Sequence, residues 1–399
     1  MKIAIYVEHL EREYLFALIL KKKLERQGYR VLILNLFFDN KVASYFKPDI
    51  VFLPYFYSIE DPSISKVLNL PGVKRFYSLS WEQIFNDVQI DKKIPKIIPK
   101  NLVVLSWSSN FRKLIPKDYQ HQVVQVGHPM WSLYWQIPTG EFTKESRNGN
   151  VKLYFENLTW INMENEKKLN IQFTAEQSAA LNDIKDNIRR ITKLLNRNSF
   201  LVKVRPSSTY KRDKTLGFLL KRTKLVRGLP AIHYISKSNY CFGDFSSTMI
   251  DSLLLGLPTY GFCIQQIPRE LSFAWHSCFT ETNNFNGRKV KDIWILDRQK
   301  TLDFLISGGF INEDYFKTFF QMLEQSNFEI SRSRFSLKFY FAKFLLISGH
   351  IMGSVALCRR ILFRLFRPKL DLRTHTQDFI SIKRYLVYRL YAARIISFL

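Results

Sequence analysis

The sequence predicts a two-domain α/β protein followed by a basic helical tail, each domain being a parallel sheet covered by helices. Apolar strand patterns alternate with helical patterns along most of the chain, which is typical of parallel sheets. A polar, glycine-containing stretch, IPTGEFTKESRNGN, interrupts that alternation, and the final 331–399 segment has a composition of its own. A length of 399 residues is also typical of two domains.

In the first domain, strand and helix patterns alternate from the first residues. A helix is predicted over LFALILKKKLERQG, ending at Gly28 as its C-cap. The predicted strands are KIAIYV, YRVLILNL, DIVFLPYF, VKRFYSLSWEQ, NLVVLSWS and HQVVQVGHP. We therefore predict an N-terminal domain over 1–138 and a linker over 139–150.

In the second domain the pattern restarts, and we predict that it covers 151–330. A long polar helix is expected over 175–196, and another helix follows the sequence SST. The predicted strands are VKLYFEN, SFLVKVRP, AIHYIS, NYCFGDF and LPTYGFC.

The charge balance is strongly basic, with 60 Lys and Arg against 34 Asp and Glu, a net charge of +26. Such a charge suits nucleic acid, a membrane surface or anionic substrates. Residues 331–399 carry 14 Lys and Arg against two Asp, interleaved with Phe, Leu, Ile and Tyr. Basic residues beside apolar ones favour an anionic lipid surface over nucleic acid, for which no motif is present.

Within this tail, FYFAKFLLISGHIMGSVALC, residues 339–358, is nearly long enough to span a bilayer, but Lys343 and His350 interrupt it. The last stretch, IKRYLVYRLYAARIISFL, predicts an amphipathic helix lying in the headgroup plane. The alternative is a helix packed back across the two domains. The start of the chain lacks the pattern of a signal peptide, and the four cysteines lack CxxC spacing. We therefore expect a cytoplasmic protein, peripheral on the inner face of the plasma membrane.

The segment GDFSSTMIDSLLLGLPTYGF, residues 243–262, places three hydroxyl side chains at the start of a predicted helix: Ser246, Ser247 and Thr248. The free N–H groups and dipole of a helix N-terminus bind phosphate, and hydroxyls there donate to it. Ordinary N-capping is the alternative, but it needs only one such residue. Asp251, one turn further on, is placed to reach a ribose hydroxyl.

This segment resembles the donor-nucleotide element of GT-B glycosyltransferases. The resemblance implies two Rossmann-like domains that face each other across a cleft, with the sugar nucleotide held mainly by the C-terminal one. In many of these enzymes an acidic residue five positions before the glycine of a G-x-P turn contacts the ribose. Asp251 and Gly256–Leu257–Pro258 match that pattern, with Asp in place of the commoner Glu.

A second resemblance is to GT-B enzymes that use cytidine nucleotides, including bacterial sialyltransferases and Kdo transferases, and to CDP-glycerol phosphotransferases. These pair a basic-Pro motif with a Ser-Ser motif at the phosphate. Here VKVRPSS supplies Lys203 and Arg205, and Ser246 and Ser247 follow. Arg205 stands where those families often have His; it suits a phosphate but cannot act as a general acid. VEHLERE, SWEQIF and VGHP are similar to segments of bacterial surface-carbohydrate biosynthesis proteins.

Four candidate side chains follow predicted strands, where open α/β sheets bind their ligands. Glu8 and His9 follow the first strand, Glu82 the fourth and His128 the sixth. A carboxylate there can deprotonate an acceptor hydroxyl or act as a nucleophile. We favour Glu82, because Trp81 offers an apolar neighbour and a flat surface for a sugar; Glu8 is second.

Each of these residues also has a structural alternative. The two acids can be solvated loop residues, and His128 can be a hydrogen-bonded residue of the domain junction.

The sequence contains no D-x-D pair, which metal-dependent GT-A transferases use, and no GxGxxG, P-loop or HExxH motif. We therefore expect no metal and no cofactor, with Lys203, Arg205 and the helix N-terminus offsetting the donor charge. The predicted function is transfer of a sugar, from a CMP-sugar donor, to a surface polysaccharide, capsule or lipopolysaccharide acceptor. The alternatives are a CDP-glycerol-type glycerophosphotransferase and a GT-B-fold sugar-nucleotide epimerase.

Overall fold

The first domain is built on a six-stranded sheet in which all neighbouring strands are parallel, in the order β2-β1-β3-β4-β5-β6. The strands of this computed structural model are β1 Lys2–Val7, β2 Arg30–Asn35, β3 Ile50–Leu53, β4 Arg75–Ser78, β5 Leu102–Ser106 and β6 Val123–Gln125. The helices are α1 Leu10–Arg26, α2 Asn40–Phe46, α3 Pro62–Leu68, α4 Ser109–Leu114 and α5 Pro129–Trp135. The strand order reverses between β1 and β3, which places a ligand crevice beyond their carboxyl ends.

The structure describes residues 1–81, 83, 93–143, 151–156, 200–204, 224–226, 228–243, 246–262, 291–325 and 382–399, several positions in 174–186 and most of 264–289. All statements below concern these residues. The predicted 175–196 helix and the 339–358 stretch lie largely or wholly outside them.

The second domain is built on a seven-stranded sheet in the order β12-β15-β11-β10-β7-β8-β9. The five strands from β11 to β9 are mutually parallel, and β15 and β12 add an antiparallel edge. Its strands are β7 Lys152–Glu156, β8 Phe200–Val204, β9 Lys224–Val226, β10 Tyr240–Phe242, β11 Thr259–Gly261, β12 Phe279–Glu281 and β15 Trp294–Leu296, with a separate hairpin of β13 Asn284–Phe285 and β14 Arg288–Lys289. The strand order reverses between β7 and β10, so the ligand crevice of this sheet lies beyond those two strands.

The remaining helices are α6 Ala231–Ile235, α7 Thr248–Leu254, α8 Arg298–Ser307, α9 Tyr315–Glu324 and α10 Ile382–Ile396. Two mainly parallel α/β sheets with a C-terminal helix confirm the predicted fold class. One predicted strand is wrong: AIHYIS forms α6, where Ile232 and Ile235 are buried three positions apart on one face. The sequence analysis missed β9 and the four strands that follow β11, which are β12, β13, β14 and β15.

After the second sheet the chain returns to the first domain. The Phe319 ring on α9 stacks on Phe52 of β3 at 5.2 Å between ring centroids, and Tyr315 meets Phe16 of α1 edge-on at 5.9 Å. Tyr315 and Phe319 are fully buried. These aromatic contacts attach the end of the second domain to the first, an arrangement that the strand and helix patterns did not indicate.

Helix α10 packs across both domains. Its Tyr388 meets Tyr14 of α1 edge-on at 5.4 Å, and the Tyr391 hydroxyl lies 2.9 Å from that of Ser236, just after α6. Tyr388 and Ile395 are fully buried. The prediction that the apolar face of this helix lies on lipid is therefore wrong for the face that contains Tyr388 and Ile395, because the protein itself covers that face.

Two large apolar side chains of α10 do point outward, Leu386 and Leu390, which are 59% and 66% exposed. In the described part of the chain, no helix has the length and hydropathy needed to cross a membrane.

Candidate active site between the facing sheet edges

The carboxyl edges of the two sheets meet at the domain junction. Glu11, in the first turn of α1, accepts hydrogen bonds from the Lys203 ammonium near the end of β8 and from the Gly228 backbone N–H, the latter at 2.6 Å. The Trp131 indole on α5 donates to the Asp251 carboxylate on α7 at 2.8 Å. Both contacts join the domains, and each uses one residue that the sequence analysis assigned to nucleotide binding. The ligand crevices of the two sheets therefore lie on the facing sides of the domains.

Glu8 and His9 follow β1 at the crevice of the first sheet and are held by charged neighbours. The Glu13 carboxylate accepts from the backbone N–H of Glu8 at 2.6 Å and of His9 at 3.3 Å, which fixes the backbone just before α1. Arg12 donates to both Glu8, at 3.2 Å, and Glu13, at 2.7 Å. Burial raises the pKa of Glu13, and the adjacent Arg12 opposes that shift. The structure thus gives the Glu8 carboxylate a fixed position at the crevice, in an ion pair with Arg12.

His128 lies at the centre of a buried aromatic cluster. Its Nδ1 accepts the Trp131 backbone N–H at 3.0 Å and so caps α5, and its ring stacks on the Trp131 ring at 4.0 Å. Trp107 lies 4.2 Å and Trp81 6.5 Å from the His128 ring, centroid to centroid. Burial lowers the pKa of His128 well below its usual value, so the ring is neutral at neutral pH. In this structure His128 orders the junction, and the Trp81 ring is covered by protein.

The Ser246–Thr248 segment begins four positions after the end of β10, at the crevice of the second sheet. Ser247 is the N-cap residue of α7, yet its side chain makes no capping hydrogen bond. It is exposed, and Ser246 and Thr248 are half-buried. Gly243 allows close packing here, since an added Cβ would lie 3.0 Å from the Met249 sulfur. The capping alternative therefore does not account for the hydroxyl of Ser247.

Asp251 is half-buried and points toward the first domain. Burial raises its pKa to about 7, although the hydrogen bond from Trp131 favours the charged form. The G-x-P turn that follows packs on the linker: Gly256 has a φ of +89°, and an added Cβ would lie 2.8 Å from the Gly140 nitrogen. The structure explains this glycine by packing; contact between Asp251 and a ribose stays a prediction.

Glu82 and Arg205 lie outside the described residues, so the assignments of a catalytic base and a phosphate ligand to them stay predictions. Of the residues that are described, Glu11, Trp131 and Gly228 complete the junction and were missed. One signal was present: Lys203 lies in an otherwise apolar strand, where a buried ammonium requires an anionic partner.

No group of three or more His, Cys, Asp or Glu side chains that could hold a metal ion occurs in the described part of the chain. A pocket of about 290 Å³ lies beside the linker, away from the predicted site residues. Arg298 lines it and donates to the Leu253 carbonyl at 3.0 Å and to the Thr139 hydroxyl at 2.9 Å, which ties α7 to the linker.

Comparison with known proteins gives no family assignment. No protein-family model matches the chain, and no curated protein matches it. Solved structures resemble it only at the level of the fold. A wall teichoic acid polymerase TagF structure with CDPG has a TM-score of 0.47 and 8% identity, covering 82% of this chain and 88% of that one.

A putative UDP-N-acetylglucosamine 2-epimerase from Listeria monocytogenes has a TM-score of 0.41 and 10% identity, covering 84% and 99% of the two chains. An alpha-glucosyltransferase in complex with UDP has a TM-score of 0.37 and 11% identity, covering 99% and 100%. At this level of similarity the residues of the chain itself have to carry the functional argument.

Proposed function

We propose that this protein is a metal-independent glycosyltransferase of GT-B type that transfers a sugar from a nucleotide donor, a CMP-sugar, to a surface polysaccharide or lipopolysaccharide acceptor. One observation carries the proposal. The Ser246–Thr248 hydroxyls lie at the strand-order reversal of the second sheet, and the capping position Ser247 leaves its hydroxyl free of a capping bond. Open α/β sheets bind nucleotides at such reversals.

In this proposal the second domain holds the donor. The hydroxyls of Ser246, Ser247 and Thr248 donate to its phosphate, Lys203 and Arg205 offset its charge, and Asp251 contacts the ribose. These roles require two hydrogen bonds of the present structure to be replaced by bonds to the ligand. Lys203 gives up its bond to Glu11, and Asp251 gives up its bond to Trp131.

The first domain then presents the acceptor. Glu82, or Glu8 in second place, removes the proton from the acceptor hydroxyl as its oxygen bonds to the anomeric carbon of the donor sugar. The bond from that carbon to the phosphate oxygen breaks in the same transfer, and CMP leaves with the bonding electron pair. Glu8 is supported by its position beyond β1, where the order of the first sheet reverses.

We further propose that the acceptor is presented at an anionic membrane on the cytoplasmic side. The support is the net charge of +12 over 331–399 and the outward position of Leu386 and Leu390 on α10, next to the exposed Arg389. Apolar side chains flanked by arginines suit the headgroup region of such a bilayer.

The experiment is a thermal-shift screen against CMP, CDP, UDP and GDP, followed by product analysis with the nucleotide that binds. A bound nucleotide raises the melting temperature by mass action, about 2.7 kcal/mol of stabilisation at a hundredfold excess over Kd. Stabilisation by cytidine nucleotides and a glycosidic product support the proposal. A phosphodiester product identifies a glycerophosphotransferase instead, and no stabilisation by any nucleotide contradicts a nucleotide-dependent enzyme.

A further inference from the structure

The carboxylate of Glu11 lies in a buried cluster of hydrogen-bond donors that belong to the second domain and to α10. Lys203 and the Gly228 N–H donate to it, and Glu11 and Lys203 are each only 7% exposed. The Arg384 guanidinium of α10 covers Gly228 so closely that an added Cβ would overlap it. Gly228 also has a φ of +82°, a conformation that favours glycine.

A further hydrogen-bond donor lies on α10, one helical turn after Arg384. Tyr388, fully buried on α10, has a hydroxyl with no hydrogen-bond partner. Burial raises its pKa well above the usual value, and the Glu11 carboxylate adds to that shift. A buried hydroxyl without a partner costs free energy that a suitable ligand recovers.

The cluster therefore contains more hydrogen-bond donors than a single carboxylate needs. They are two cationic side chains, a backbone N–H and the Tyr388 O–H, which has no partner. Phosphate groups have more acceptor oxygens and more negative charge than a carboxylate, and Arg, Lys and backbone N–H groups are their usual partners. The cluster lies near the carboxyl end of β8, two strand positions from β10 in the sheet order, a separation of roughly 10 Å. Both groups of donors therefore lie on the side of the second sheet where the proposed donor binds.

We propose that Lys203, Gly228, Arg384 and Tyr388 form a phosphate-binding site of the second domain, and that the Glu11 carboxylate of the first domain occupies it until a phosphate ligand displaces it. The inference rests on the proposed function for the source of that phosphate, which is the phosphate of the nucleotide donor. Displacement breaks the tie between α1 and β8, so ligand binding and the separation of the two domains are coupled. The competing interpretation is a permanent structural ion pair.

The test is calorimetric titration of inorganic pyrophosphate, CMP and CDP into the full-length protein and three variants. Glu11→Gln keeps the side-chain shape and removes the competing charge, so we expect pyrophosphate to bind on the order of tenfold tighter than to the wild type. Adding Lys203→Met to Glu11→Gln should remove that gain. Glu25→Gln, at an exposed position of the same helix, is the matched control and should leave the affinity unchanged.

Equal pyrophosphate affinity in the wild type and Glu11→Gln, or a gain that persists without Lys203, overturns the site. If Glu11→Gln does not fold, Glu11→Asp, whose carboxylate is one methylene shorter, should give the same direction of change. If Glu11→Gln binds pyrophosphate more tightly than the wild type but no variant binds CMP or CDP, the result supports the site and contradicts the proposed cytidine donor. Nucleotide binding that is equally tight in all variants supports the donor and overturns the displacement of Glu11.

Discussion

Replacing Asp251 by Asn should change how the stability of the protein depends on pH. Asp251 has a pKa raised by burial from 3.8 to about 7, and Trp131 donates to it. A raised carboxyl pKa contributes stability at pH values below the unfolded value near 4, and that contribution is lost as the pH rises to about 7. Asn has the same shape and still accepts the indole N–H, but it does not ionise.

The expected change in the free energy of unfolding follows from the difference between a pKa of 3.8 and one of about 7. Because one pKa unit corresponds to about 1.36 kcal/mol, the full difference corresponds to about 4 kcal/mol. Asp251 is half-buried, so water and local relaxation reduce this to about 2 kcal/mol. We expect Asp251→Asn to gain that much stability relative to the wild type between about pH 4 and pH 8.

The assay is urea unfolding over that pH range. Other groups titrate in both proteins and cancel in the difference between them. Asp303→Asn, at an exposed position of α8, is the control variant and should run parallel to the wild type. If the difference in unfolding free energy between Asp251→Asn and the wild type is the same at every pH, the assignment of a raised pKa to this half-buried carboxyl is refuted.

Two further substitutions test the packing that joins the domains. Gly256→Ala should destabilise the protein by about 2 kcal/mol, because the residue has a positive φ and an added Cβ would meet the Gly140 backbone. Urea unfolding measures this loss. Wild-type stability of the variant would contradict the packing of this turn on the linker. Ile395→Ala should cost about 2–4 kcal/mol, because its side chain is fully buried, whereas Leu390→Ala, 66% exposed on the same helix, should cost less than about 0.5 kcal/mol. Equal effects for Ile395 and Leu390 would show that α10 does not pack as described.

The sequence predicted both sheets because their strands are continuous apolar runs between polar turns. KIAIYV and DIVFLPYF lie at the centre of the first sheet, and their cores are buried on both faces, the pattern typical of parallel strands. The prediction failed for AIHYIS, because such a short, mainly apolar run suits a strand as well as a short helix. Pro230 before α6 favoured the helix, since proline is common at helix starts.

The domain junction could not be predicted in the same way, since its contacts join residues far apart in the chain. Glu11 lies among other charged residues in VEHLERE, and nothing in that spacing distinguishes it from Glu8 or Glu13. The structure separates them by their partners: Glu11 meets the second domain, while Glu13 binds the start of its own helix. The position of Ser246–Thr248 at the start of α7 was predictable, because hydroxyls after a strand and a glycine form a local pattern.

In the proposed function, Ser246 and Ser247 bind the phosphate of a nucleotide donor. Isothermal titration of CMP and CDP into the wild type and the Ser246→Ala/Ser247→Ala variant tests it directly, with circular dichroism as the check on folding. Each lost hydrogen bond to a charged group costs about 1.5–3 kcal/mol, so we predict a loss of affinity of at least a hundredfold, about 3 kcal/mol, in a folded variant. Unchanged nucleotide affinity in the folded variant would contradict the donor site at the end of β10.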